Sequence, residues 1–328
     1  MLKNKLNVRN IKTYVISLFL TIFFVWLLLA QININDIFAA LSNITFFTLS
    51  AAFLIYIISN IFRALRFKFL IQKKITLFNM FKIVCVHNLA LGLVPGRLGE
   101  LSYIYLIKNK KVKGGANLGS LLLARVFDML ALSFYFIMAL FFIKEKSSII
   151  QYALTGVGIF LVAVSISFLV LLFYEAPFLK TLKFILKTLK LTDFHIGLFI
   201  LKKFAELMKF LRVIRSKKNI SIIMLYSLII WGANYLFSYL IVTNLGMKIG
   251  FPLFMVAATL SVFSYSIPIS GIAGLGTYEG LWALFFLSVG ISKEMAIVTG
   301  FGSHLIILTF SLLMGLFGLY FLNKSNFT

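Results

Sequence analysis

Long apolar runs, separated by short charged stretches, leave this chain few folds to adopt. Of its 328 residues, 61% are hydrophobic and 12% are charged, and the mean hydropathy is +1.03. A helix that crosses the hydrocarbon core of a bilayer needs about 18 or more apolar residues. Several runs approach or exceed that length, beginning with residues 13–30. The pattern predicts an all-α polytopic membrane protein with about 6 full spans.

The strong basic excess fits a membrane chain better than a nucleic-acid-binding one. The formal net charge is +23, and the lysines and arginines flank apolar spans, where they set orientation and attract anionic lipid. We therefore expect no nucleic-acid partner. Cys85 is the only cysteine, which excludes an intrachain disulfide and a site of several thiolates. The sequence predicts no metal and no cofactor.

Two apolar segments are broken into arms too short to span a bilayer. Between Lys82 and Lys108, the arms 83–94 and 98–107 would each cover roughly half of the hydrocarbon core. Basic clusters stand before and after this segment, so both of its ends are predicted to be cytoplasmic. We interpret 77–107 as a re-entrant hairpin. Following the crossings, a second hairpin over 252–290 enters from the opposite face.

We expect the chain to be integral to the cytoplasmic (inner) membrane, and the same counting predicts that both termini are cytoplasmic. A lysine-rich segment over 177–218 returns inside and carries a basic and an apolar stripe at helical spacing. This predicts amphipathic helices on the inner surface. They could anchor the chain to anionic lipid, or serve as a gate or a partner-docking element.

The two halves correspond in sequence. Glu100 ends the break "VPGRLGE" and Glu279 ends the break "IPISGIAGLGTYE". Arg125 follows Glu100 by 25 residues, and His304 follows Glu279 by the same interval. We interpret the chain as one membrane domain, 1–328, with inverted-topology repeats over about 45–143 and 221–322. The alternative is chance similarity within apolar sequence.

The breaks themselves indicate a cavity. Irregular backbone persists at membrane depth only where protein or water satisfies its polar groups. Half-helix N-termini at Leu98 and Tyr278 would present free N–H groups to an anion. Alternatively, the glycines only permit tight packing of the hairpins. The residues predicted to form the breaks are Pro95, Gly96, Gly99, Pro268, Gly271, Gly274 and Gly276.

Charged residues near these breaks are candidates for ligand binding. An arginine at the centre of a bilayer costs about 2.5–3.5 kcal/mol on insertion scales, so Arg97 needs a partner or a function. It could bind phosphate, or pair with Glu100 or Asp128 and only hold the hairpin shut. Arg125 and Asp128 share one helix face, either as a structural pair or as ligand contacts.

Glu279 has no basic neighbour in its own hairpin. Either an arginine of the first repeat pairs with it, or it is protonated. His304 is a lone histidine in an apolar helix, where a hydrogen-bonded core role is the more common one. The complete set of predicted substrate-binding residues is Arg97, Glu100, Arg125, Asp128, Tyr278, Glu279 and His304.

Recognised catalytic motifs are absent from the sequence, so the chain is not expected to be an enzyme. It contains no metalloprotease helix signature, phosphate loop or serine nucleophile arrangement. Two alternatives stay open. One is an integral-membrane lipid-phosphate transferase with Glu100 or Glu279 as base. The other is a non-catalytic membrane scaffold for a lipid or glycan synthesis enzyme.

The motifs "VPGRLGELSYIYLIK", "ANLGSLLLARVFDML" and "IPISGIAGLGTYEG" resemble those of flippase-like membrane proteins of the UPF0104 type, typified by the membrane half of lysylphosphatidylglycerol synthase/flippase. The resemblance covers nearly the whole chain. It implies movement of an anionic phospholipid or a polyprenyl-phosphate-linked headgroup between leaflets. It places Arg97, Glu100, Arg125, Asp128 and Glu279 around the headgroup cavity.

The resemblance also has consequences for activity and partners. The bifunctional relatives append a soluble aminoacyl-transferring domain, whereas this sequence stops at Thr328. Synthase activity is therefore expected to be absent. A membrane lipid is the implied substrate, and a synthase or glycosyltransferase is the implied partner.

Overall fold

The computed structural model describes residues 8–71, 75–94, 99–108, 114–143, 216–262 and 272–324, and scattered positions between 155 and 188. These continuous ranges hold ten α-helices and a short 3-10 helix, and none of their residues forms a strand. The helices are α1 Val8–Leu29, α2 Ile34–Ser42, α3 Phe46–Ile71, α4 Leu77–Leu93, α5 Glu100–Lys108, α6 Gly114–Phe142, α7 Lys217–Asn244, α8 Phe251–Val262, α9 Thr277–Ser288 and α10 Lys293–Lys324; the 3-10 helix is Ile272–Gly274.

The described part of the fold is all-helical, as the sequence predicted. Four helices, α3, α6, α7 and α10, are long and apolar enough to cross a membrane. The end of α1 and all of α2 form a pair bent by 83°, which would raise the number of spans to five within the described residues. A further apolar run over 149–174 is described only at scattered positions between 155 and 167. The prediction of about six spans therefore stays a prediction.

Polar side chains fix where individual helices begin. The hydroxyl of Thr76 accepts a hydrogen bond from the Asn79 amide at 3.3 Å and starts α4. The hydroxyl of Ser216 accepts one from the Asn219 amide at 3.2 Å and starts α7. Each bond satisfies a backbone donor that has no partner inside its helix.

Helices α3 and α7 pack against each other in opposite directions. The Thr48 hydroxyl, early in α3, donates to the Asn244 side chain at 3.1 Å, at the end of α7. The Ser59 hydroxyl, further along α3, donates to Asn234 at 2.9 Å, which lies earlier in α7. Because the contact moves backward along α7 as it moves forward along α3, the two helices are antiparallel.

Helices α4 and α5 fold back on each other around the first break. The ring Nδ1 of His87 and the hydroxyl of Ser102 lie 3.0 Å apart. Gly99 lies so close to the Ala90 carbonyl that a Cβ at position 99 would clash with it. Since positions 87–90 of α4 meet positions 99–102 in reverse order, the chain forms a helical hairpin here. Any larger residue in place of Gly99 would separate its arms.

A second helical fold-back is formed by α8 and α9. The ring of Phe254, near the start of α8, lies 5.8 Å from the ring of Phe286, near the end of α9. The Trp282 ring completes this aromatic cluster at 6.3 Å from Phe254. The start of one helix therefore meets the end of the other. Each fold-back also packs on the long helix of the other half, α4 on α10 and α8 on α6.

Most of the segment 177–218 lies outside the described residues. Lys180, Lys183 and Lys187 belong to its predicted basic stripe, and all three are helical and exposed. The amphipathic role assigned to the segment stays a prediction.

Candidate functional site

Asp128 is the centre of a buried polar cluster between α3, α6 and α7. Its carboxylate accepts two hydrogen bonds from Arg66, at 2.6 and 3.3 Å. The indole N–H of Trp231 donates to the same carboxylate at 2.9 Å. Arg66 also donates to the Ser227 hydroxyl at 2.8 Å. These charges have lost most of their hydration on burial. The bidentate arginine–carboxylate pair and its two further polar contacts compensate for much of that loss.

Glu100 and Arg125 extend this cluster toward the outside of the bundle. Arg125 Nη2 lies 3.2 Å from the Glu100 carboxylate, and Arg125 Nη1 lies 3.9 Å from that of Asp128. The Arg125 and Glu100 side chains are 34% and 22% exposed, whereas those of Arg66 and Asp128 are 2% and 8% exposed. The cluster is thus sealed at Arg66 and accessible at Arg125.

Arg66 was not predicted as a site residue, because it belongs to the basic cluster before the first hairpin, which was interpreted as setting orientation. The structure shows that Arg66 is inside α3, five residues before Ile71, and is not in the loop that follows. The available signal was its spacing. Asn60, Arg63 and Arg66 recur every three residues, which puts polar groups at successive turns of an otherwise apolar helix.

A second buried pair joins α9 and α10. The Nδ1 atom of His304 lies 2.5 Å from Oε1 of Glu279, and the two side chains are 2% and 0% exposed. The ring of Tyr278 covers His304 at a centroid distance of 4.7 Å. The three residues predicted as ligand contacts in the second repeat are therefore neighbours.

The N-terminus of α9 is occupied by the chain itself. Oε2 of Glu279 accepts a hydrogen bond from the Gly276 amide at 2.7 Å. Gly276 has a φ of +80° and lies against Phe24 of α1, so only glycine fits there without strain. The N-terminus that was expected to attract an anionic ligand already has a carboxylate at it.

Among the described residues, no arginine of the first repeat pairs with Glu279, which was one of the two options that the sequence suggested. The other option was a protonated carboxyl. The described partner is His304, from the next helix of the same repeat. The sequence held the signal, since His304 follows Glu279 by the interval that separates Arg125 from Glu100.

Part of the predicted site lies outside the described residues. These residues are Arg97, Pro95, Gly96, Pro268 and Gly271. The roles assigned to them stay predictions. Within the described part of the chain, no three His, Cys, Asp or Glu side chains come together as a metal ion would require.

The apolar spanning helices and the charged clusters between them define an integral membrane protein. The chain belongs to the family of the lysylphosphatidylglycerol synthase TM region, whose model matches residues 14–315. A relative from Pyrococcus horikoshii, the UPF0104 membrane protein PH1989, is 39% identical over 90 residues. That stretch covers 27% of this chain and 26% of the relative's length. The family predicted from the sequence motifs is confirmed.

Proposed function

We propose that this protein is a lipid translocase, a flippase that moves an anionic phospholipid or a polyprenyl-phosphate-linked headgroup between leaflets. The headgroup would cross through a midplane cavity between two inverted hairpins, while the acyl or prenyl chains stay in the bilayer. The cluster of Glu100, Arg125 and Asp128 would receive the headgroup, with Arg97 contributing from the adjacent break.

The observation that carries this proposal is the partly exposed Glu100–Arg125 pair in a largely apolar bundle of helices. Ionisable groups at membrane depth are costly and persist where they serve a function or a partner. Asp128 already has Arg66 as its close partner at 2.6 Å. Arg125 is therefore not needed to neutralise Asp128, and its partly exposed guanidinium is free to exchange Glu100 for a phosphate.

The arrangement of the helices supports an inverted repeat. Helices α3 and α7 precede the two fold-backs, and they run antiparallel to each other. The fold-backs α4–α5 and α8–α9 each pack on the long helix of the other half. We infer that 45–143 and 221–322 are repeats of opposite topology and that their hairpins are re-entrant. Such repeats place substrate near the midplane in transporters.

Two contacts, each between residues 25 positions apart in sequence, support the same inference. Glu100 contacts Arg125 in the first repeat, and Glu279 contacts His304 in the second. Each pair links the helix after a break to the following long helix. A duplicated unit predicts an equivalent contact in each half. Chance similarity between apolar sequences does not predict it.

Reconstituted vesicles test the proposal. Purified protein is inserted into liposomes that contain a fluorescent phosphatidylglycerol, and dithionite then bleaches the label in the outer leaflet. We expect the protein to raise the bleached fraction above the roughly half that empty vesicles lose. A polyprenyl-phosphate probe run in parallel tests the alternative cargo.

The same preparation separates the rival functions. An integral-membrane transferase would produce a new lipid species, detected by mass spectrometry of extracted lipids. A scaffold would leave leaflet distribution and lipid composition unchanged and would retain a synthase or glycosyltransferase on purification. Either result, without lipid movement, would overturn the translocase proposal.

A further inference from the structure

Four residues of the polar cluster around Asp128 form a chain of alternating charges. Glu100 meets Arg125 at 3.2 Å, Arg125 meets Asp128 at 3.9 Å, and Asp128 meets Arg66 at 2.6 Å. Two positive and two negative side chains leave these four without net charge. A further charged residue at this site therefore needs a counter-charge from outside these four residues.

Arg63 supplies such an additional charge. It lies on α3 one turn before Arg66, close enough to Asp128, Arg66 and Arg125 to interact with them electrostatically. Among the ion pairs of the described residues, none involves Arg63. The site as described consequently carries one unmatched positive charge.

Hydrogen-bond donors at this site also lack partners. The Nε–H groups of Arg63, Arg66 and Arg125 are buried and donate to no partner among the described residues, and neither does the Nδ2 group of Asn60. Asn60 is 1% exposed, and its side-chain oxygen is held by Asn88 at 2.5 Å. Buried donors of this kind are seldom left unsatisfied, so the unpaired donors of Arg63 and Arg125 beside the unmatched charge indicate a missing acceptor.

Orientation in the membrane does not explain Arg63. Basic residues that set topology or anchor to lipid headgroups stand at helix ends. Lys68 is placed in that way, three residues before the end of α3. Arg63 is eight residues before that end, which corresponds to about 12 Å along the helix axis.

We propose that Arg63 is a headgroup-binding residue and that the headgroup it binds is a monoanionic phosphodiester. This proposal rests on the proposed function and names its substrate class. One negative charge neutralises the one unmatched positive charge, and the phosphate oxygens accept from the free guanidinium donors. A zwitterionic lipid would bring its own cation against three arginines, and a phosphomonoester would bring a second negative charge that none of the described residues matches.

Arg63 and Arg66 therefore have different roles. Arg66 is fixed by two bonds to Asp128 and one to Ser227, so it positions Asp128 and is not released for a ligand. Arg63 has no such partner in the described chain. Of these two arginines, the one without an ion-pair partner among the described residues is the one expected to bind the phosphate.

Lipid binding can be measured without transport. The detergent-purified protein is mixed with equimolar phosphatidylglycerol, phosphatidylethanolamine and phosphatidic acid of matched acyl chains, and bound lipids are counted by native mass spectrometry. The variants are Arg63→Gln, Arg63→Lys and the control Lys68→Gln, which removes the same charge from the same helix. Thermal unfolding of each variant verifies that it is folded.

We expect the wild type to prefer phosphatidylglycerol over the other two lipids. Losing a hydrogen bond to a charged group should weaken phosphatidylglycerol binding about tenfold in Arg63→Gln. Arg63→Lys keeps the charge, so its phosphatidylglycerol binding should lie between that of the wild type and that of Arg63→Gln. If Arg63→Gln does not fold, Arg63→Lys still tests the role of Arg63. Lys68→Gln should bind as the wild type does.

Three results would overturn the proposal. Equal losses in Arg63→Gln and Lys68→Gln would mean that only bulk charge matters. Unchanged binding in Arg63→Gln would remove Arg63 from the site, and a preference for phosphatidic acid or phosphatidylethanolamine would contradict the charge argument. Native mass spectrometry measures lipid binding and not lipid transport. Selective binding by a protein that moves no lipid in the vesicle assay would therefore overturn the translocase function but not the role of Arg63.

Discussion

His304 lies 2.5 Å from Glu279, and this contact in the second half of the chain has its counterpart in the contact of Arg125 with Glu100 in the first. The two pairs differ in access. Glu279 and His304 are sealed, whereas Glu100 and Arg125 are partly exposed. We interpret the first pair as the accessible ligand site and the second as a closed structural contact in the described conformation.

The sealed pair should matter for stability. His304→Gln removes the described side-chain partner of the fully buried Glu279 carboxyl, and a buried polar group left unsatisfied costs about 1–3 kcal/mol. We expect a clear fall in thermal unfolding temperature in detergent. The double variant Glu279→Gln/His304→Gln removes both members and should be less destabilised than the two single losses combined. Additive losses would show that the two side chains do not interact.

The Arg66–Asp128 pair is expected to hold α3, α6 and α7 together. Arg66→Met leaves Asp128 buried without its bidentate partner, again at a cost of about 3–5 kcal/mol. We expect less folded protein, measured by the monodisperse peak in size-exclusion chromatography. Arg66→Met/Asp128→Leu, which removes both charges, should recover part of that peak. A single variant that behaves as the wild type would contradict the structural role of Arg66.

The accessible pair should contribute little to stability. In the proposed function this pair lines the headgroup cavity, and ion pairs open to water are worth about 0–1 kcal/mol, because solvent screens them and side-chain entropy opposes them. Glu100→Gln should therefore unfold within a few degrees of the wild type, roughly the shift that such an energy produces. Unfolding scans of Glu100→Gln beside Arg66→Met make the comparison. A loss as large as that of Arg66→Met would assign Glu100 a structural role.

Much of the fold and part of the site could be predicted from sequence. The helices and the short broken segments follow from apolar run length and from proline and glycine. Glu100, Arg125 and Asp128 were found because they stand near the breaks in apolar surroundings. Arg66 was missed, since a basic residue late in a spanning helix looks the same in sequence whether it faces lipid headgroups or a carboxylate on another helix.

The antiparallel register of α3 and α7 can be tested by cross-linking. In a Cys85→Ser background, paired cysteines at Thr48 and Asn244 should form a disulfide under mild oxidation, as should a pair at Ser59 and Asn234. Their side chains lie within hydrogen-bonding distance in the structure, at 3.1 and 2.9 Å. The exchanged pair, cysteines at Thr48 and Asn234, is the control and should remain reduced. Efficient cross-linking of that control would contradict the register.

The inferred inverted topology predicts which loops share a side of the membrane. Lysine-to-cysteine variants at Lys74 and Lys110 flank the first hairpin, and variants at Lys248 and Lys293 flank the second. We expect a membrane-impermeant maleimide applied to intact cells to label positions 248 and 293 only. Positions 74 and 110 should react after permeabilisation. Labelling of one member of each flanking pair would mean that the hairpin crosses the membrane and is not re-entrant.

The most direct test compares the movement of fluorescent phosphatidylglycerol in vesicles that contain wild type, Arg125→Gln or Lys293→Gln, the last being a matched loss of one exposed positive charge. The proposed function predicts that Arg125→Gln remains folded and slows movement about tenfold, the effect of losing one bond to a charged group. Lys293→Gln should move lipid at the wild-type rate. Unchanged movement in folded Arg125→Gln would contradict the account, because the accessible arginine would then take no part in carrying the headgroup.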